Sequence, residues 1–283
     1  MDFEYKKSIV SYYDNTRLDY RLLWFRKNTR SVHFGFYDEG VKSHGDALLN
    51  LNKVLANKVE VKKDDVILDA GCGQGAGAIW LSENYDVEVK GITLVPHQVK
   101  IAKKHAQKLK LNNRVTFSEQ DYCNTSFDDE SFSVIWACES MCHAEIKSDF
   151  YKEAYRLLKP GGRIICADYF RTERDFQQKD EKLIHDWLAG WSIKDLDTFS
   201  EHKKNAVNNG FVDFEIENIT EYTEPSLKHL HSMANKLWKF GKILKKIGFR
   251  NDVNHGNHFG SIKQYEALQN KLWYYGLLSM KKN

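Results

Sequence analysis

Apolar residues fall in two rhythms along the chain. Between residues 66 and 167, short apolar runs alternate with stretches of helical spacing. Val66–Ala70, Val87–Ile92, Val115–Phe117, Phe132–Ala137 and Arg163–Ala167 read as strands. Between them lie a helix through Trp80 and Leu81 and one opened by Pro96, with Val99, Ile101, Ala102, His105, Ala106 and Leu109 as its apolar stripe. A third runs from Phe150 to Leu158, stopped at Lys159-Pro-Gly-Gly162. Strand and helix in alternation at this spacing predict βαβ units, hence a mostly parallel sheet covered by helices on both faces. The ends differ. Residues 1–60 are helical in pattern and rich in aromatics, and 171–208 are helical again, with Trp187 and Trp191 one turn apart. Phe211–Ile216 alternates like an edge strand, Leu272–Leu278 can pair beside it, and a long helical insertion over 224–270 separates the two. The expected organisation is an N-terminal helical cap (1–60), a core (61–223) with a helical insertion near 171–208, a helical lid (224–270) and a last core strand (271–283).

Composition narrows the class. Lys and Arg number 42 against 39 Asp and Glu, a net +3 that gives little support to a life on nucleic-acid backbone. Apolar residues at 42% suffice for a core, and no run approaches the ~18 residues of a spanning helix. The opening residues are polar and acid-containing, unlike a signal or transit peptide. Five cysteines, Cys72, Cys123, Cys138, Cys142 and Cys166, are an odd count without paired spacing. They read as reduced thiols, and a cytoplasmic setting is expected. Cys138, Cys142 and His143 lack metal-site spacing, so no metal is expected.

The chemistry concentrates at strand ends. Leu68-Asp-Ala-Gly-Cys-Gly-Gln-Gly75 follows the first strand, where glycines let the backbone turn sharply and approach a ligand. The spacing Gly71-x-Gly73-x-Gly75, with Asp69 two residues before it, differs from the G-x-G-x-x-G of dinucleotide sites. An acid there sits badly beside a pyrophosphate and suits an ammonium. This stretch resembles the first motif of the class I S-adenosylmethionine-dependent methyltransferases, and the resemblance covers roughly residues 60–170. It implies a Rossmann-like α/β fold with a seven-stranded sheet. It also implies S-adenosyl-L-methionine as cofactor and S-adenosyl-L-homocysteine as product, with the glycine loop around the methionine part. The family's usual acid after the second strand is replaced here by Gly91-Ile-Thr-Leu-Val-Pro-His-Gln98. Thr-Leu with a following Gln is similar to the subgroup holding tocopherol, sterol and mycolic-acid-type methyltransferases and prenyl-diphosphate C-methyltransferases. By that resemblance Thr93, Leu94 and Gln98 contact the ribose and its surroundings, and Asp121 with Tyr122 the adenine. Ala137, at the end of the fourth strand, is counted with the cofactor residues.

Trp136-Ala-Cys-Glu-Ser-Met-Cys-His143 follows the fourth strand, at the switch point of such a sheet. The subgroup often carries Glu-Ser and a His there, so Glu139 and His143 are the catalytic candidates, as base, cation stabiliser or substrate anchor. Cyclopropane fatty acid synthases of the same subgroup show Glu-His at this place; Cys142-His143 departs from them. His33-Phe-Gly-Phe-Tyr-Asp38 resembles a segment that closes over the cofactor's methyl end, which places His33 and Phe34 there together with Tyr12 and Tyr13 of the preceding helix. Between Ser226 and Arg250 seven basic residues interleave with apolar ones and no acid intervenes. That pattern suits a lid helix with solvated lysines, or a helix lying on a membrane surface. The expected acceptor is a small, apolar or amphiphilic molecule and not a nucleic acid, with an O- or N-methyltransferase of a polar molecule or an idle cofactor-binding fold as the alternatives.

Overall fold

The five apolar runs form five parallel strands. The structure, a computed structural model, describes residues 1–23, 31–246, 248 and 250–283. β1 (Val66–Ala70), β2 (Glu88–Thr93), β3 (Val115–Glu119), β4 (Phe132–Cys138) and β5 (Leu158–Arg171) pair in the spatial order 3-2-1-4-5. β6 (Phe211–Asn218) is the far edge, and β7 (Trp273–Lys282) slots between β5 and β6, antiparallel to both. Alternate residues of the central strands feed two apolar layers. Ile67, Val89, Val134, Trp136 and Ile165 enter one, and Leu68, Ile92, Ile135, Ile164 and Cys166 the other. Chain order reverses between β1 and β4, which opens a crevice beyond their carboxyl ends.

Helices cover both faces: α1 (Phe3–Leu23), α2 (His44–Lys58), α3 (Ala76–Tyr85), α4 (Pro96–Lys108), α5 (Lys147–Leu157), α6 (Gln178–Gly190), α7 (Phe199–Asn208), α8 (Thr220–Lys246) and α9 (Asp252–Gln269). Their starts are written locally. Ser43 caps α2, Pro96 occupies the first turn of α4, and Thr198 with Glu201 forms a capping box on α7.

Three sequence expectations change in detail. β5 runs from Leu158, through Lys159-Pro-Gly-Gly162, to Arg171, not only from 163 to 167. A register shift opposite Phe132–Val134 and the left-handed Gly161 (φ +73°) let the proline sit at an irregularity, where no ladder donor is required of it. The segment 171–208 is two helices, separated where Arg171 buries its guanidinium against Glu181 and Asp195. The basic stretch is also less free than its sequence suggests. Lys228 pairs with Glu224 (3.2 Å), Lys245 with Asp252 (2.5 Å) and the largely buried Arg250 with Asp19 of α1 (2.7 Å). The side chains of Lys239, Phe240, Lys242, Ile243 and Leu244, and the whole of Ile247, lie outside the described residues. Among the described residues no helix is long and apolar enough to cross a membrane.

α9 reaches the crevice because glycines let it approach α6. A Cβ on Gly190 would stand 2.4 Å from the Gly256 carbonyl oxygen, and one on Gly260 2.8 Å from Trp191. α1 joins α9 through a buried polar chain. Tyr12 donates to Asn257 Oδ1 (2.8 Å) and meets the Tyr20 hydroxyl (2.9 Å), while Asn257 Nδ2 donates to Asp19 (3.3 Å). These two helices roof the crevice.

Candidate active site

The crevice closes into a chamber with a floor of strand ends and a roof of helices. On the floor, Gly71 (φ +91°) brings the chain so near β4 that a Cβ would lie 2.3 Å from Ser140 Cβ. Ser140 fastens the two strand ends by donating to the Ala70 carbonyl (2.6 Å), and its own carbonyl accepts from Tyr122 (2.6 Å). Gly73 (φ +51°) faces open space, with no atom of the described residues beyond its chain neighbours within 4 Å of where a Cβ would be. Gly75 (φ +82°) caps α3 and lies against Phe117. The carboxylate of Asp69 is buried beneath this loop, accepting from the Ala78 N–H (3.1 Å). Burial pushes its pKa up to about 7, so it gains from any cation that enters. Thr93 donates to Gln98 Oε1 (2.8 Å), which leaves the Gln98 NH₂ available as a donor.

Glu139 stands at the junction of floor and roof. Its backbone is left-handed (φ +49°), a conformation that costs a non-glycine residue roughly 1–3 kcal/mol and concentrates at functional sites. Oε1 accepts from the Phe34 N–H (2.6 Å) and the Tyr275 hydroxyl (2.8 Å), and Oε2 from the Tyr169 hydroxyl. Burial raises its pKa to about 8 against the effect of these three donors. A carboxylate held by neutral donors alone is set to face positive charge.

His143 lines the chamber with both ring nitrogens engaged. Its Nδ1 lies 3.3 Å from the Ser192 carbonyl, which can only accept, so Nδ1 carries the proton. Nε2 then accepts from the Tyr13 hydroxyl (3.1 Å). Both nitrogens are engaged and burial holds the ring neutral, with a pKa lowered to about 4. The arrangement makes His143 a support for Tyr13. His33 donates through Nδ1 to the Phe34 carbonyl (2.9 Å), and its Nε2 is buried without a partner among the described residues.

Tyr12, His33, Asp69, Gly71, Gly73, Thr93, Leu94, Gln98, Tyr122, Glu139 and His143 all line the chamber. Phe34, Gly75, Asp121 and Ala137 do not. Phe34 acts through its amide on Glu139, Gly75 supports the loop, and Ala137 is buried in the layer beneath the floor. Asp121 turns its carboxylate to Lys6 of α1 (2.8 Å) and to the Cys123 N–H (2.8 Å). The sequence did not mark Asn52, Tyr169, Tyr275 or Asn257. Tyr169 and Tyr275 sit on strands whose apolar alternation hides a hydroxyl, and Asn52 interrupts the leucine face of α2, a signal that was legible.

Residues 68–166 match the methyltransferase domain family model. The 27-O-demethylrifamycin SV methyltransferase of Amycolatopsis mediterranei is 29% identical over 198 residues, 69% of this chain and 72% of that protein. Seven further curated relatives, sterol 24-C- and phosphoethanolamine N-methyltransferases among them, are spanned over 35–58% of their own length. Two solved structures share the fold over nearly the whole chain. The [4+2]-cyclase SpnF superposes with a TM-score of 0.80 at 20% identity, covering 98% of this chain and 96% of that one. The geranyl diphosphate C-methyltransferase of Streptomyces coelicolor A3(2), solved with Mg²⁺, geranyl diphosphate and S-adenosyl-L-homocysteine, gives 0.74 at 18% identity, covering 99% and 98%. A glycine loop after β1, an acid beneath it and a charged junction after β4 mark a ligand crevice at the switch point of an α/β sheet. Residues 68–166 thus carry the methyltransferase domain, and around it the chain is similar to S-adenosylmethionine-dependent methyltransferases.

Proposed function

We propose that the protein methylates a small molecule that is apolar over most of its surface, bound under the roof beside Glu139. The observation that carries this reading is the lining of the roof side. Ile9, Tyr12, Tyr13, Tyr20, Trp191 and Ile193 face the chamber, and Arg17 is the only lysine or arginine among its described lining residues. Aromatic faces attract a cation without accepting a methyl group, and they exclude water from the reaction.

The residues present fit the cofactor. Asp69 offers a buried acceptor to an ammonium, Gly73 leaves backbone-side space, and the Gln98 amide offers a donor to a hydroxyl. S-adenosyl-L-methionine supplies, when bound, a methyl group activated on a sulfonium. A cation bound beside Glu139 favours its ionised form, and the carboxylate then provides negative charge at the junction and accepts a proton from the acceptor. Tyr169 and Tyr275 hold its two oxygens, and Tyr13, braced by His143, closes the roof. Orientation and a dry site supply the rest of the acceleration.

The relatives' acceptors range from a rifamycin to phosphoethanolamine, so the choice of acceptor needs its own test. Transfer of labelled methyl is measured against a panel holding 27-O-demethylrifamycin SV, a sterol, geranyl diphosphate and phosphoethanolamine. The reading expects turnover on apolar members with a hydroxyl or alkene. Turnover on phosphoethanolamine alone overturns it. A shared fold with a [4+2]-cyclase gives a second reading, cofactor binding without transfer. Absence of transfer to every member, with S-adenosyl-L-homocysteine still bound, favours that one.

A further inference from the structure

Asn52 stands where a leucine would pack. It lies on the buried face of α2 between Leu48 and Leu55, is 1% exposed, and lines the chamber. Among the described residues neither Oδ1 nor Nδ2 has a hydrogen-bond partner. A buried amide left unmatched at both ends is destabilising, and native structures hold few of them. The neighbouring chain does not relieve it. The 33–37 segment runs along the same helix, with the Phe36 N–H donating to the Ala47 carbonyl (2.9 Å) and Asn50 donating to the Phe36 carbonyl (3.1 Å). Yet that segment adds a second orphan, His33 Nε2, to the same chamber.

The missing partner has a definable chemistry. It must accept from an NH₂ and donate to a carbonyl oxygen, side by side. An α-amino acid end does both, its carboxylate accepting and its ammonium donating. The same chamber already holds Asp69, a buried carboxyl that, when ionised, only accepts. That acid serves the ammonium and repels the carboxylate, so the amino acid end needs a donor from elsewhere. We propose that Asn52 grips the amino acid end of the cofactor, Nδ2 on its carboxylate and Oδ1 on its ammonium. Asn52 thereby makes the protein select cofactors that carry that end. This rests on the methyltransferase reading of the chamber.

Two ligands separate the claims. S-adenosyl-L-homocysteine carries the amino acid end, and 5′-methylthioadenosine keeps adenine, ribose and thioether without it. Calorimetric titration of the full chain with both is compared for wild type, Asn52→Leu and Asn52→Asp. Asn52→Leu is expected to weaken S-adenosyl-L-homocysteine by roughly 10²–10⁴-fold, the loss of two hydrogen bonds to charged groups, and to change 5′-methylthioadenosine less than twofold. Its melting temperature without ligand should hold or rise, because an unmatched amide has gone. Asn52→Asp, of equal size but bringing a second acceptor to the carboxylate, should weaken S-adenosyl-L-homocysteine at least as much. Equal losses for both ligands would assign Asn52 a merely structural role and overturn the proposal, as would unchanged S-adenosyl-L-homocysteine affinity in Asn52→Leu. If wild type binds 5′-methylthioadenosine and S-adenosyl-L-homocysteine equally, the proposal fails while the cofactor reading stands. If it binds neither, that reading fails first.

Discussion

Floor and roof of the chamber are built by opposite means. The floor is made of windows a few residues long at strand ends, Asp69–Gly75, Thr93–Gln98 and Glu139–His143, held by a sheet buried on both faces. The roof is assembled across the chain. Tyr12 reaches Asn257, Asp19 reaches Arg250, and Phe34 reaches Glu139. In the floor a backbone conformation limits each position; in the roof a polar partner far along the chain does. The difference teaches where damage should appear. Floor substitutions should abolish binding or chemistry, whereas roof substitutions should first cost stability.

The largest effect is expected at Gly71. Alanine there combines a left-handed backbone with a Cβ 2.3 Å from Ser140 Cβ, so β1 and β4 must part. Thermal melting should fall by more than ~10 °C and S-adenosyl-L-homocysteine binding by more than ~100-fold. Gly73→Ala is the control. Its Cβ meets no atom of the described residues beyond its chain neighbours, so the fold should lose only about 1–2 kcal/mol for the backbone conformation while the ligand loses its space. Equal melting losses for the two variants would show that the loop is held by something other than Ser140.

Glu139→Gln comes next, since it removes the charge and leaves the shape. The amide oxygen can still accept from the Phe34 N–H and the Tyr275 hydroxyl. Turnover on the accepted acceptor should fall by roughly 10²–10⁴, with S-adenosyl-L-homocysteine affinity kept within a few-fold. A variant that loses the cofactor instead makes Glu139 an anchor of the roof segment, on the roof's side of the comparison.

Arg250→Ala tests the roof by itself. It strands Asp19, whose side chain is 8% exposed, without its cation. Breaking such a pair costs roughly 3–5 kcal/mol, a drop in melting temperature of roughly 5–8 °C for a chain of this length. Adding Asp19→Asn should recover much of it. No recovery would mean that the Arg250 bond to the Asn254 carbonyl (2.8 Å), not the ion pair, holds the start of α9.

The same contrast explains what the sequence could disclose. The strands and the glycine loop were legible because burial on both faces and left-handed backbone leave local marks: apolar runs, and glycines at fixed offsets. Glu139 was legible by position, but the three donors that hold it come from residues 34, 169 and 275. His143 was legible as a residue type. Its engagement by Tyr13 and Ser192 was not, because a hydrogen bond spanning 130 residues leaves no period in the sequence.

The smallest effect is expected at Asp121, where floor and roof compete for one carboxylate. The family resemblance gives this acid to adenine, whereas the structure gives it to Lys6. Lys6 is about a third exposed, so the pair itself contributes no more than ~1 kcal/mol. Asp121→Asn keeps an oxygen for the Cys123 N–H and removes only the charge. If Lys6 retains the carboxylate when the cofactor binds, this variant should change S-adenosyl-L-homocysteine affinity by less than about threefold, and Lys6→Met should do no more. If adenine takes the carboxylate, the two must diverge. Asp121→Asn would then weaken binding beyond that, because a neutral acceptor replaces a charged one, and Lys6→Met would strengthen it by releasing the acid. Calorimetry on the two variants therefore reads the direction of the competition, and movement in opposite directions would make α1 a gate over the adenine end of the floor.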